Sequence, residues 1–172
     1  ALLFPNGMAA IAAVFRALPT GATVLVQAQI YWGTTKWVRD FCNRRGMVLV
    51  EGDLSKLDII EKLCAHHEPN MVFIETPSNP WLRCTDIAHA AKTVHNVGGR
   101  LVVDATAATP ILTRVLDFGA DIVMHSATKG LNGHSDVLAG VLATNETESP
   151  HWKAILMDRH DAGAVIGSFE AW

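Results

Sequence analysis

The sequence predicts an α/β domain of three layers, in which helices cover both faces of a doubly wound, mostly parallel sheet. Short apolar runs alternate with helical segments along the 172 residues, and linkers of a few residues join them. Apolar residues make up 49% of the chain and charged residues 18%. This balance suits one domain with a buried core, and it does not suit a disordered or coiled-coil chain.

Five apolar runs predict strands that are buried on both faces, because they lack the alternation of a half-exposed strand. These runs are Thr23–Gln27, Met47–Gly52, Met71–Thr76, Leu101–Ala105 and Asp121–Ser126. A sixth strand is predicted over Val137–Thr144, and the pattern leaves its direction open. Ligands of doubly wound sheets bind at the carboxyl ends of the strands, so the residues that follow these runs are candidates for a site.

Three helices are predicted between the strands. The first, Gly7–Leu18, follows Asn6, a residue that caps helix N-termini well. The segments Lys56–His66 and Asp86–Val97 each place apolar side chains on one stripe at helical spacing. These helices supply the outer layers that a parallel sheet requires.

The composition excludes several kinds of partner. A net charge of −3 offers no basic surface for a nucleic acid or an anionic membrane. The longest run without charge, residues 17–35, is interrupted by proline and glycine, so no membrane span is expected. Cys42, Cys64 and Cys84 lack CxxC spacing and predict reduced thiols in a cytoplasmic protein, with no metal site. Neither glycine motif of the nucleotide-binding folds is present.

Polar residues interrupt the apolar pattern at the ends of two successive strands. Asp104 ends one apolar run, and Ser126, Thr128 and Lys129 end or follow the next. Each has an ordinary structural interpretation, since aspartate and hydroxyl residues close turns and a lysine can end a strand. One crossover separates the two runs, so neighbouring strands would present a carboxylate and an amine to one cleft.

These groups meet the chemical requirements of pyridoxal phosphate. A partly desolvated amine is a nucleophile toward an aldehyde, and a nearby carboxylate keeps a pyridine nitrogen protonated. Hydroxyls and the amides at a helix start bind phosphate. The start of the first predicted helix, at Gly7 and Met8, offers such amides, although this feature alone is a weak signal.

The segment "SATKGLNGHSDVLAG", residues 126–140, resembles the lysine signature of the Cys/Met-metabolism family of pyridoxal-phosphate enzymes. That family includes cystathionine γ-synthase, cystathionine β- and γ-lyases and methionine γ-lyase. The segments "NGMAAI", "IYWGTT", "IETPSNP", "VVDATAATPIL" and "GADIVMHSATK" also occur in the family's order. The resemblance implies an aspartate-aminotransferase-like large domain over residues 1–172, with pyridoxal 5'-phosphate as cofactor.

The resemblance also implies roles for individual residues. Lys129 would form a Schiff base with the cofactor and later move the Cα proton, and Asp104 would pair with the pyridine nitrogen. Tyr31 would stack on the ring and assist proton transfer near the leaving group. Asn79 would lie near the ring 3-oxygen and the substrate carboxylate, with Glu75 a weaker candidate at the edge of the pocket. The implied phosphate ligands are Gly7, Met8, Ser126 and Thr128.

The sequence departs from the family pattern at five positions. Ala105 replaces an asparagine, Ala107 an aromatic residue, Gly130 a tyrosine, Asn6 a serine and Trp32 a glycine. None of these changes removes an atom that the cofactor bond needs. The two alanines and Gly130 remove side-chain bulk around the cofactor, which leaves substrate choice open but not cofactor binding.

Among the family's reactions, "NGHSDV" after the lysine is most similar to cystathionine γ-synthases. The implied reaction is γ-replacement, in which an activated homoserine ester loses its acyl group and cysteine sulfur adds at Cγ. A cystathionine lyase, a methionine γ-lyase and a non-catalytic cofactor-binding fragment remain alternatives.

The resemblance also bears on what lies beyond this chain. The chain has neither a starting methionine nor a terminating signal, so we expect a piece of a longer protein. The family's N-terminal segment and C-terminal small domain would be missing from it. The implied partners are small amino-acid substrates and further copies in a homodimer or homotetramer, where a neighbouring subunit contributes phosphate contacts.

Overall fold

A computed structural model describes residues 1–172 and shows one seven-stranded sheet between two layers of helices. The strands are β1 (Leu2–Phe4), β2 (Thr23–Gln27), β3 (Val48–Gly52), β4 (Met71–Glu75), β5 (Arg100–Asp104), β6 (Ile122–Ser126) and β7 (Gly140–Ala143). The helices are α1 (Gly7–Arg16), α2 (Trp32–Arg45), α3 (Leu57–His67), α4 (Ile87–Asn96), α5 (Thr109–Leu112), α6 (Pro150–Asp161) and α7 (Ser168–Ala171). A short 3-10 helix covers Val115–Phe118.

The sheet is mostly parallel, which confirms the predicted fold class. Its strand order is β1-β7-β6-β5-β4-β2-β3, and β2 to β6 all run in one direction. The strand whose direction the pattern left open, β7, is antiparallel to β6 and pairs on its other side with β1. The carboxyl ends of β4, β5 and β6 therefore lie side by side, with Glu75 opposite Asp104 in the ladder.

The two faces of the sheet carry separate apolar cores. In β2, Val24 and Val26 pack toward α1, α2 and α6, whereas Leu25 packs toward α3 and α4. Phe15 of α1 meets Phe73 of β4 with 5.7 Å between ring centroids. Each fully buried apolar side chain of this size contributes roughly 1.5–3 kcal/mol. Burial on both faces explains why these strands read as continuous apolar runs.

Helix α1 begins beside the carboxyl end of β6. The Oδ1 atom of Asn6 accepts a hydrogen bond from the backbone N–H of Ala9 at 2.8 Å, which caps the helix as expected. A Cβ atom at Gly7 would lie 2.8 Å from the Cβ of Ser126, so only glycine allows this close approach. The helix ends at Arg16, which pairs with Asp158 of α6 at 2.7 Å. The fold thus fixes the start of α1 against the end of β6.

The structure differs from the predicted elements in a few places. The predicted sixth strand, Val137–Thr144, is strand only from Gly140, because the N–H and C=O groups of Ala139 bond to Thr128 and not to β6. Helix α2 was not predicted, since it buries few side chains and mixes charged with apolar residues. Strand β1 and helix α6 were also missed.

The three cysteines are free, as the sequence indicates. Burial raises the pKa of the Cys42 and Cys64 thiols to about 11, and Cys84 is exposed. The two buried thiols are therefore protonated at neutral pH and act as small apolar core residues. In the described chain, every helix is too short or too polar to span a membrane.

Candidate active site

The carboxyl ends of β4, β5 and β6 open into a cavity of about 710 Å³. All eight residues that the sequence analysis assigned to the site line this one cavity, and Glu75 lines it as well. The eight are Gly7, Met8, Tyr31, Asn79, Asp104, Ser126, Thr128 and Lys129. A neighbouring cavity of about 510 Å³ is lined by Thr128, Lys129 and the loop that follows them, and some of these residues line both cavities. The topology thus brings together groups that are widely separated along the chain.

Asp104 lies at the end of β5 and is only 6% exposed. Its Oδ1 atom accepts hydrogen bonds from the backbone N–H of Thr106 at 2.9 Å and from the Thr106 hydroxyl. The same hydroxyl accepts a bond from the N–H of Ser126 at 2.8 Å, which ties the ends of β5 and β6 together. Burial raises the pKa of the Asp104 carboxyl, against the opposing effect of the Thr106 bonds. The Oδ2 atom has no partner within the chain and is free to take a proton donor.

Glu75, at the end of β4, occupies a more central place than the sequence indicated. Its carboxyl is 4% exposed and lies across the ladder from Asp104. The Oε2 atom accepts a hydrogen bond from the backbone N–H of Tyr31 at 3.0 Å, and Oε1 accepts one from the N–H of Asn79 at 2.6 Å. Burial, with a smaller contribution from the charge of Asp104, raises the pKa of Glu75 to about 7.

The start of α1 forms the anion-binding end of the cavity. The first amides that find partners are those of Ala9, bonded to the Asn6 side chain, and Ala10, bonded to the Asn6 carbonyl. The preceding amides of Gly7 and Met8 are therefore left for a ligand, in the positive end of the helix dipole. The closeness of Gly7 to Ser126 places the Ser126 hydroxyl at this helix start.

The hydroxyls of Ser126 and Thr128 are in different situations. The Ser126 hydroxyl makes no hydrogen bond within the chain. The Thr128 hydroxyl donates to the carbonyl of Ala139 at 3.2 Å and accepts from its N–H at 3.0 Å. A phosphate could take the Thr128 proton only if the long bond to Ala139 broke. Ser126 is thus the better placed of the two predicted hydroxyl ligands.

Lys129 and Tyr31 lie at the open side of the cavity. Lys129 follows β6 by three residues, and its backbone N–H is held by the Ser126 carbonyl at 3.1 Å. Its side chain is exposed, so the partly desolvated amine that we expected is not present in this chain by itself. Tyr31 is 38% exposed, and its ring lies over Gly33 and 5.6 Å from the ring of Trp32.

Three of the five departures from the family pattern concern residues that the sequence analysis placed around the cofactor. Ala107 and Gly130 line the cavity, and a Cβ atom at Gly130 would lie 2.9 Å from Cγ2 of Thr109. Ala105 is fully buried in the core under α4, so its predicted influence on the space around the cofactor is wrong.

These residues fit pyridoxal phosphate. One cavity contains an unpaired amine, a buried carboxylate with a free oxygen, and a helix start with two unpartnered amides. These are the groups that an aldehyde, a pyridine nitrogen and a phosphate require. The fit depends on the amine, the carboxylate and the helix start together, since each of these groups alone has an ordinary structural explanation.

Comparison with known proteins bears on the same question. A family model described as Cys/Met metabolism PLP-dependent enzyme matches residues 1–172. The cystathionine gamma-synthase/O-acetylhomoserine (thiol)-lyase of Bacillus subtilis (strain 168) is 35% identical over 173 residues, which cover 99% of this chain and 45% of that protein. The cystathionine gamma-lyase of Saccharomyces cerevisiae is 38% identical over 177 residues, which cover 99% and 43%.

A solved structure agrees with these relatives. The crystal structure of cystathionine gamma synthase from Xanthomonas oryzae pv. oryzae, in complex with aminoacrylate and cysteine, matches with a TM-score of 0.92 at 34% identity. The match covers 99% of this chain and 43% of that one, so the chain spans less than half the length of the relatives it matches. The chain belongs to the Cys/Met-metabolism family of enzymes, which depend on pyridoxal 5'-phosphate.

Proposed function

We propose that the protein containing this chain catalyses γ-replacement on an activated homoserine ester with cysteine, as a cystathionine γ-synthase does. The observation that carries the proposal is the meeting of Lys129, Asp104 and the start of α1 in one cavity. The similarity of "NGHSDV" to γ-synthases, and the relatives named as such, favour this reaction. Matched relatives also include lyases, so cleavage of cystathionine or methionine is the second candidate.

The residues of the cavity divide the work of the reaction. Bound pyridoxal phosphate supplies an electron sink for charge that develops at the substrate Cα. The amides of Gly7 and Met8 and the Ser126 hydroxyl bind the phosphate, with Thr128 beside them. The free Oδ2 of Asp104 accepts the pyridine N–H and keeps that nitrogen protonated.

Proton transfer is the work of the residues at the open side. The Nζ atom of Lys129 would remove one proton from the substrate Cα and one from Cβ, and would return one to each carbon after the thiol has added at Cγ. The phenol of Tyr31 gives a proton to the leaving group and receives one from the incoming thiol. Its ring also orients the cofactor by stacking, which is worth roughly 0.5–1.5 kcal/mol beyond the buried area. Asn79 orients the substrate carboxylate.

We further propose that residues 1–172 are the cofactor-binding large domain of a cytoplasmic homodimer or homotetramer. The exposure of Lys129 and of apolar side chains beside it supports this proposal, because a catalytic amine needs cover from water. Those side chains are Tyr31, Trp32, Leu82 and Leu138. A neighbouring subunit and the remainder of the protein would supply this cover, together with further phosphate contacts.

The colour of the full-length protein tests the cofactor assignment. We expect a visible absorption band in the parent protein and its loss in dialysed Lys129→Ala. The melting temperature of this variant should equal that of the cofactor-free parent, because the Lys129 side chain is exposed. Lys153→Ala, in α6, is the matched control and should keep the band. A dialysed Lys129→Ala protein that keeps the parent's band would contradict the assignment.

Three separate assays distinguish the reactions. The purified full-length protein receives an O-acylhomoserine with cysteine, cystathionine alone, or methionine alone. Formation of cystathionine selects γ-replacement, whereas pyruvate or 2-oxobutyrate from the thioethers selects a lyase. A coloured protein that turns over none of the three would favour the non-catalytic alternative.

A further inference from the structure

Glu75 connects two loops that approach the cavity from different parts of the chain. Tyr31 follows β2 and opens α2, whereas Asn79 lies in the loop after β4. The two oxygens of the Glu75 carboxyl accept one backbone N–H from each, at 3.0 Å from Tyr31 and 2.6 Å from Asn79. One side chain therefore sets the distance between the two loops.

Ionising the Glu75 carboxyl in this position costs free energy, because the group is buried beside a second carboxyl. It is 4% exposed, and it lies next to the buried carboxyl of Asp104. A second buried carboxyl beside the first raises the cost of ionisation, and burial already raises the pKa of Glu75 to about 7. The backbone of Glu75 is nevertheless held in place, because its N–H donates to Oε1 of Gln27 at 3.1 Å. Costly buried charges of this kind collect at functional sites.

We propose that Glu75 is a positioning residue that holds Tyr31 and Asn79 at the separation required by the cofactor ring. The proposal rests on the function proposed above, in which Tyr31 stacks on the ring and Asn79 lies near its 3-oxygen. An ionised carboxylate accepts both N–H groups. An amide in the same place presents an NH2 donor on one side, where it opposes one of them, and a protonated carboxyl is a weaker acceptor than the carboxylate.

The two loops depend on Glu75 to different degrees. The Asn79 loop has other anchors, since Arg83 pairs with Asp53 at 2.8 Å and bonds Ser78 through both backbone groups. Tyr31 occupies the N-cap position of α2, and its side chain makes no capping bond. Loss of the Glu75 charge should therefore displace Tyr31 more than Asn79.

The groups that face the Glu75 carboxyl define its titration. They are the carboxyl of Asp104 from β5 and the backbone N–H groups of Tyr31 and Asn79. The amine of Lys129 lines the same cavity. A pH change near neutrality should therefore loosen the Tyr31 loop when Glu75 takes up its proton.

The first test compares Glu75→Gln with the parent in the full-length, cofactor-loaded protein. Glu75→Gln should keep the visible band, because Lys129 is intact, but release cofactor about tenfold faster, as expected for loss of one hydrogen bond to a charged group. The visible circular dichroism should also change, since the ring loses its fixed orientation. Glu51→Gln, on the edge strand β3, is the matched control and should leave both unchanged.

A second test needs no variant of Glu75. In the cofactor-free protein, the fluorescence of Trp32, whose ring is 5.6 Å from that of Tyr31, should follow one proton with a midpoint near 7. A Trp32→Phe protein should lack this change in fluorescence, which would assign the signal to Trp32. If Glu75→Gln folds, it should lack the transition.

The outcomes separate this inference from the proposed function. A Glu75→Gln protein with the parent's release rate and dichroism would overturn the inference, even if it melts earlier. If that variant does not fold, absence of a Trp32 transition between roughly pH 6 and 8 in the parent would overturn it. Survival of the band in Lys129→Ala overturns the proposed function instead.

Discussion

The cavity has a floor and an open side that differ in how far this chain completes them. The floor consists of Glu75, Asp104 and the start of α1, which are buried or held by defined hydrogen bonds. The open side consists of Tyr31 and Lys129, which are exposed. Parallel strand ends thus suffice to bring the proposed binding groups together, whereas the Lys129 amine, to which we assign the reactive role, is exposed in this chain.

The largest expected effect comes from the floor. Asp104→Asn keeps an acceptor for Thr106 but loses the charge that would hold the pyridine proton. We expect turnover by the full-length protein to fall by about 100- to 1000-fold, the usual effect of removing one preorganised electrostatic partner. Steady-state kinetics at saturating cofactor measure this. Asp117→Asn, an exposed residue paired with Arg114, should change turnover little. An equal loss of turnover in Asp104→Asn and Asp117→Asn would contradict the role proposed for Asp104.

The burial of the floor should make the stability of the cofactor-free protein depend on pH. The pKa of Glu75 is raised from 4.5 to about 7, so the folded state binds this proton more tightly than the unfolded state. The stabilisation is present below pH 4.5 and is lost as the pH rises through about 7. The shift corresponds to roughly 3 kcal/mol at most, and Asp104 adds an effect of the same sign.

Urea unfolding at several pH values measures this dependence. Burial lowers the pKa of His125 and of His151, which acts in the opposite direction, so the comparison with Glu75→Gln isolates the carboxyl. Between about pH 5 and 8, we expect the free energy of unfolding of the parent to decrease relative to that of Glu75→Gln. The same pH dependence in parent and variant would show that the Glu75 carboxyl is not buried as described.

The smallest expected effects come from the two hydroxyls near the start of α1, those of Ser126 and Thr128. Ser126→Ala removes a hydroxyl that makes no bond within the chain, so it should weaken cofactor binding about tenfold and leave the fold intact. Thr128→Val removes the hydroxyl that accepts the Ala139 N–H, whereas the Ala139 carbonyl keeps its bond from the backbone N–H of residue 128. This loss should lower the free energy of unfolding by about 1 kcal/mol. Cofactor titration and thermal unfolding of both variants measure the two quantities. The same loss of affinity with no loss of stability in Thr128→Val would contradict the distinction.

Much of the fold was predictable because its strands are buried on both faces. Runs such as Met71–Glu75 are wholly apolar until the polar residue at the strand end, and this contrast marks both the strand and the edge of the site. Helix α2 lacked a comparable signal, because four of its fourteen residues are buried: Thr34, Val38, Phe41 and Cys42. Strand β1 has only three residues, and it forms by pairing with β7. Because β7 is far from β1 in the sequence, the local sequence pattern does not predict this strand.

The site was predictable in its residue types and less so in their connections. Asp104, Lys129 and Gly7, which the sequence pattern and the family resemblance assign to one cleft, line the same cavity. The sequence analysis undervalued Glu75, whose bonds go to backbone N–H groups that are present at every position of a chain. It also missed that Ala105 faces the core, because the direction of a side chain just past a strand end depends on the turn.

The identity of the lysine that carries the cofactor provides the most direct measurement. Borohydride reduction of the loaded full-length protein, followed by peptide mapping, fixes the cofactor to its attachment point. The account predicts that the label lies on the peptide containing Lys129 and is absent after Lys129→Ala. Labelling of another lysine, or no label in a coloured protein, would contradict the assignment of this cavity as the active site.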